Sequence, residues 1–161
     1  MKRALLALAA VSVLAMALPA FGAAKADPRI KAVLDKLKLT YEIDKDNDFS
    51  LPYDLGDGRS QTVFLMSKTT KIGELEFREV ASIGAMFEGD LPAGLAEKLL
   101  LQSRDSTIGS WQMEKDGNNK VLVFVAKLPL DAEPKSWVKV IEGVAGKADL
   151  LEREVSKEDR F

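Results

Sequence analysis

The chain has no cysteine and no histidine among its 161 residues. Without cysteine there is no disulfide framework, no lipid-bearing cysteine of a lipoprotein, and no sensitivity to an oxidising compartment. Without either residue, Ser-His-Asp and Cys-His catalysis are excluded, and zinc would find neither imidazole nor thiolate. Basic blocks are missing too. The whole chain carries a net charge of −2, and from Asp27 onward 20 basic side chains face 25 acidic ones, a net charge of −5. A mildly acidic domain of this kind is a poor binder of nucleic acid. There are no internal repeats, and no linker long enough to separate two domains.

The N-terminus is patterned differently from the rest. Lys2 and Arg3 precede an uninterrupted small and apolar run from Ala4 to Leu18, broken by Pro19, and Ala24-Lys25-Ala26 stands before Asp27. A positive start, an apolar stretch and an A-x-A site are the anatomy of a secretory signal peptide, assigned to residues 1–26. Cleavage after Gly22 is the alternative site. An uncleaved anchor is the rival reading, since Ala4 to Ala24 is just long enough to span a bilayer. The expectation is a periplasmic or secreted bacterial protein, with no stable membrane insertion once the leader is removed. A single domain follows over residues 27–155, and Ser156 to Phe161 reads as a polar, frayed tail.

Asp27-Pro28 has the form of an N-cap and a proline at the first helical position. Ile30, Val33, Leu34 and Leu37 follow with helical spacing. Strand signals occupy Tyr41 to Ile43, Phe49 to Asp54, Gln61 to Met66 and Glu74 to Phe87. In the last of these Leu75, Phe77, Ala81, Ile83, Ala85 and Phe87 share one phase, opposite Glu74, Glu76, Arg78 and Ser82. Glu79 interrupts the apolar phase, which points to a bulge or to an uncovered part of the sheet in preference to a buried carboxylate. Asp90 reads as the cap of a second helix, Leu91 to about Arg104. Strands at Ile108 to Glu114 and Lys120 to Leu128 flank the turn Asp116-Gly117-Asn118-Asn119. A last helix, Pro134 to about Arg153, carries the stripe Trp137, Ile141, Val144, Ala145, Ala148 and Leu151, with Gly143 and Gly146 allowing close packing on a sheet. The order α-β-β-β-β-α-β-β-α implies an α+β fold, a mostly antiparallel sheet with helices packed on one face.

Four motifs could carry chemistry. Asp44, Asp46 and Asp48 meet the first demands of an EF-hand loop, but Phe49 stands where the glycine belongs and Leu55 where the glutamate belongs. A hairpin turn is the plainer reading; a calcium- or small-ligand-binding domain is the first functional alternative. Ser136-Trp137-Val138-Lys139 matches S-x-x-K, yet its partner elements are missing; Lys68-Thr69-Thr70 lacks the glycine of K-T-G. A hydrolase on Ser136 or on carboxylates such as Glu74 and Glu76 is the second alternative. "GVAGKA", Gly143 to Ala148, has glycines too close for a phosphate loop and lies inside a helical pattern. In the middle helix, Leu101 falls opposite the stripe of Leu95, Ala96, Leu99 and Leu100, among Glu97, Lys98 and Arg104, with Gly94 along the same face. Leu101, Gly94, Glu97 and Arg104 are the candidate protein interface.

Three stretches together, "IKAVLDKLKLTYEIDKDNDFSLPY" (Ile30 to Tyr53), "LAEKLLLQSRDSTIGSWQMEKDGNNKVLVFVAKLPLD" (Leu95 to Asp131) and "VIEGVAGKADLLE" (Val140 to Glu152), resemble the YbjN-like family, assigned to bacterial sensory transduction regulation and related in fold to type III secretion chaperones. The resemblance covers about Asp27 to Leu151 and departs at Gln102, where an asparagine is expected. It implies a chaperone-type α/β sandwich, often dimeric, with no known catalysis; no cofactor is expected. The expected function is that of an exported, non-enzymatic regulatory or chaperone-like module whose partner is a protein or a second copy of the chain.

Overall fold

The computed structural model describes residues 25–156 and 158–161. The expected leader, residues 1–26, lies almost wholly outside them. Helix α1 spans Pro28–Leu37; strands β1 Glu42–Ile43, β2 Phe49–Gly56, β3 Arg59–Ile72 and β4 Leu75–Glu88 follow; then come α2 Leu95–Arg104, β5 Gly109–Asp116, β6 Asn119–Pro129 and α3 Pro134–Val155. The element order and α+β class are those read from the sequence.

The six strands form one antiparallel sheet in the order β1-β2-β3-β4-β6-β5. Each neighbour in sequence pairs as a hairpin except across α2, where the chain skips one place, lays β5 at the edge and returns through the Gly117 turn to place β6 beside β4. Helices α1 and α3 cover one face. All six residues of the predicted α3 stripe are buried, as are Ile30 and Leu34 of α1, against Phe49, Leu51, Val63, Leu65, Val80 and Phe124. Among the described residues, no helix lies on the opposite face. It bears a smaller apolar strip, Ala81, Val121, Val123 and Val125 with Met66 and Ile83. Glu79 lies on that uncovered face beside Lys127, as its position in the sequence suggested.

The phase of β4 differs from the sequence reading. Arg78 and Ser82 point toward the helices and are buried, while Phe77, Ala81 and Ile83 point to the open face. Two facts explain this. The register shifts between Ile83 and Ala85, so Gly84 is a bulge residue and Ala85 returns to the helical side. The buried polar groups also have partners waiting: Arg78 meets the Asp27 carboxylate, and the Ser82 hydroxyl reaches Gln61 Oε1 and the Thr62 carbonyl at 2.8 Å. Gly84 has a second role, because a Cβ there would lie 2.7 Å from the Trp111 ring.

The second helix begins later than Asp90 suggested. Pro92 closes a turn onto Leu95 N, Gly94 takes φ 78°, and the helix proper starts at Leu95. The Asp90 carboxylate instead accepts from Lys120 Nζ at 2.7 Å. The tail is not frayed. Thr62 N donates to the Phe161 carbonyl, Ser60 N to Asp159, and Arg160 N to the buried Glu152 at 2.6 Å, so its last residues lie along the start of β3 where β4 has turned away.

Candidate functional site

Most of the groups singled out in the sequence are tied into the fold, and the group that stays open is one the sequence reading did not propose. In the β1–β2 turn, Asp44 Oδ1 accepts from both Asp46 N and Asp48 N at 2.9 Å, while Asn47 sits at φ 66°. Asp48 Oδ1 turns inward to Ser67 N at 2.6 Å. Burial raises the pKa of Asp48, and the charges of Asp44 and Asp46 raise it further. Two of the three carboxylates therefore build the turn instead of converging on a common centre. Among the described residues, the one group of three close enough to share an ion is Asp149, Glu152 and Asp159. Arg59 already stands in that group, bonded to Asp149, to Glu152 at 2.9 Å and to Asp159 at 3.3 Å. Glu152 is completely buried and also accepts from Gln61 at 3.0 Å. This is an ion-pair cluster that fastens β3, α3 and the tail together.

Ser136 lies in the first turn of α3. Lys139, its S-x-x-K partner, donates to Glu142 at 2.8 Å, and that contact raises the lysine pKa, the opposite of what a general base needs. Gly143 to Ala148 is helical throughout. Glu74 stands at the turn before β4, and Glu76 is engaged by Thr69 at 2.7 Å and Arg29 at 3.3 Å. A recess of about 460 Å³ opens there, lined by Glu74, Leu75, Glu76, Phe77, Pro129 and Asp131.

The open group is at the other edge of the sheet, where α2 lies along β5. Only Leu95 and Leu99, one turn apart, reach the core from this helix. Its second half is fastened by polar contacts. Ser103 Oγ bonds the Leu99 carbonyl at 2.7 Å and accepts from Trp111 N at 2.8 Å, and Trp111 Nε1 donates to Gln102 Oε1 at 3.1 Å. The indole stands edge-on to Phe124 with ring centres 5.3 Å apart and is seated over Gly84. Trp111 and Leu122 thus form a rigid floor. Leu91, Ala96, Leu99 and Leu100 form one wall, with Gln112 and Met113 on the other, around a groove of about 180 Å³. Leu100 is 70% exposed and Met113 49% exposed at its rim.

Sequence reasoning missed this groove because it placed Leu100 on the packed side. The buried pair fixes the centre of the stripe between Leu95 and Leu99, and at about 100° per residue Leu100 lies roughly 120° away from it. Leu101 is 49% exposed, and Gly94, Glu97 and Arg104 are exposed as well, so the face read from sequence is open to solvent. It is a separate face that does not line the groove, and Gly94 precedes the helix instead of notching it. The signal that would have found the site is the run Leu99-Leu100-Leu101, too many leucines for a helix with one packed side.

No family model matches the chain, and no curated protein matches it. Among solved structures, the chain is similar to the crystal structure of YbjN from E. coli, a provisionally assigned transcription regulator. The TM-score is 0.45 and the identity 12%, over 78% of this chain and 86% of that one.

Proposed function

We propose that this is an exported domain that acts by binding a protein, either another polypeptide or a second copy of itself, through the groove between α2 and β5. The observation that carries the reading is the pair of rim residues Leu100 and Met113, left in water above an apolar floor that is itself rigidly held. Burying a leucine or methionine side chain is worth about 1.5–3 kcal/mol, so a fold that leaves both out forgoes that gain unless a partner supplies it. A groove of about 180 Å³ is below the roughly 300 Å³ where small-molecule pockets begin, but it suits one or two anchoring side chains of a protein partner. β5 is also the edge strand of the sheet, which favours contact with another chain.

Binding is favoured over catalysis because Asp44, Glu76 and Glu152 are taken up by the backbone or by neighbouring side chains, and Lys139, the partner of Ser136, is held by Glu142. Export rests on the patterned N-terminus. No helix among the described residues is long and apolar enough to cross a membrane. The test is Leu100→Glu with Met113→Glu. The double variant should melt as the parent does and lose its partner or its self-association by sedimentation. Unchanged association would end the reading.

A further inference from the structure

The start of β3 outruns the strand that flanks it. β3 pairs with β2 from Arg59 onward, but with β4 only from Val63 onward. β4 passes through the Gly84 bulge and stays with β6, so along Arg59 to Thr62 the second edge of β3 has no neighbouring strand among the described residues. A bare strand edge is a template for another extended segment. Here residues 158–161 fill it. Thr62 N donates to the Phe161 carbonyl, Ser60 N to the Asp159 carboxylate at 3.1 Å, and Arg160 N to Glu152 Oε1 at 2.6 Å. Arg59 Nη2 lies 3.3 Å from the same Asp159 carboxylate.

We propose that this edge is a second binding site, for an extended segment of another protein that carries an aspartate or glutamate, and that residues 158–161 are a strap closing it in cis. The inference is independent of the groove between α2 and β5. What the strap offers is generic: one carbonyl, one backbone N–H, and a carboxylate two residues before the carbonyl. The receiving side is specific and is held without the strap. Arg59 is oriented by Asp149 and by Glu152 at 2.9 Å, Glu152 by Gln61 at 3.0 Å, and Gln61 by the Ser82 hydroxyl at 2.8 Å. Asp149, Glu152, Gln61 and Ser82 are all buried. These groups therefore keep their places when the strap leaves, which is the preorganisation a binding site needs. Arg153 also pairs with Asp149, at 3.3 Å, so the fixed charges cancel two against two. A ligand carboxylate is thus drawn by the Ser60 N–H and the Arg59 fork, not by an excess of positive charge. The strap itself is lightly held. Glu158, Asp159 and Arg160 are exposed, and the Arg160 guanidinium pairs with its own neighbour Glu158 at 2.7 Å. Segments with few buried contacts open without the rest of the domain.

The probe is a synthetic peptide with the sequence of Glu158 to Phe161. It is titrated into the full chain and into the full-length variant Asp159→Ala/Arg160→Pro, and the amide resonances of Ser60 and Thr62 are followed. The double variant removes the strap's carboxylate and one N–H and leaves every receiving group intact. In the variant the peptide should move both resonances. In the parent the same movement should need about 10-fold more peptide, because a strap on a short linker competes at a millimolar effective concentration. The peptide with Asp159→Ala should move neither resonance in either protein. No movement in the variant would overturn the site, and an equal response in both proteins would overturn the strap. Loss of self-association in the variant by sedimentation would place the strap on a second copy and overturn closure in cis. Hydrogen exchange of the parent tests the strap without any substitution. The Thr62 amide should exchange about 10-fold or more faster than that of Phe64, which pairs with Ala81 of β4. Equal protection would mean that the strap is released only when the domain unfolds, and would overturn the proposal.

Discussion

Asp27 sets the behaviour of the domain in acid. Burial alone would raise its pKa, but the hydrogen bonds from Arg29 and the charge of Arg78 outweigh that and lower it from 3.8 to about 2. An acid whose pKa is depressed by folding stabilises the fold above its unfolded value and loses that contribution as pH falls toward the folded one. The window here is pH 3.8 down to about 2, and the contribution is about 2 kcal/mol at 1.36 kcal/mol per pKa unit. Asp27→Asn should cost about 3–5 kcal/mol at pH 7, because it strands a buried arginine. Urea titrations at several pH values should show a shallower acid limb in the variant. Asp48 works with the opposite sign. Burial and the neighbouring Asp44 and Asp46 raise its pKa, so the charged form opposes folding at neutral pH. Asp48→Asn keeps an oxygen for Ser67 N and removes the charge. It should raise the melting temperature at pH 7, with the gain shrinking as pH falls and the wild-type carboxyl takes up its proton.

Glycines test the account at the level of the elements. Gly143 and Gly146 share α3, but a Cβ at Gly146 meets nothing within 4 Å, while one at Gly143 meets the Ile108 side chain. The close packing expected of both is thus needed at Gly143 alone. Gly146→Ala should stabilise the domain by about 0.5–1 kcal/mol through helix propensity. Gly84→Ala pushes a methyl into Trp111 and should cost about 1–3 kcal/mol. It should also disturb the groove floor, visible as a shift in tryptophan fluorescence. The cap Asp27-Pro28 and the stripe from Trp137 to Leu151 were legible because they are local and strictly periodic. The phase of β4 was not. Arg78 is buried by a carboxylate 51 residues away, and a single bulge residue at Gly84 reverses the alternation midway. The start of α2 was misread because an aspartate before a helix looks like a cap whether or not a proline and a left-handed glycine delay the first turn.

For the molecule as a whole, the element order, the antiparallel pairing and the one-sided helical cover could be read from strand spacing, whereas the crossover that sets β6 beside β4 and the groove could not, since both exist only where α2 carries the chain to the edge strand. The rim of the groove defines the central claim. Leu101 lies one residue beyond Leu100 on a different face, so Leu101→Glu should weaken association less than Leu100→Glu does. The most direct measurement is site-specific photo-crosslinking in the native host, with the reactive residue placed at Leu100, at Met113, at Leu101, and at Ile72, which is 68% exposed on the distant β3–β4 hairpin. The account predicts one discrete adduct from Leu100 and Met113, of the same mass at both positions, little from Leu101 and none from Ile72. Adducts of equal yield from Ile72, or none from either rim residue, would contradict it.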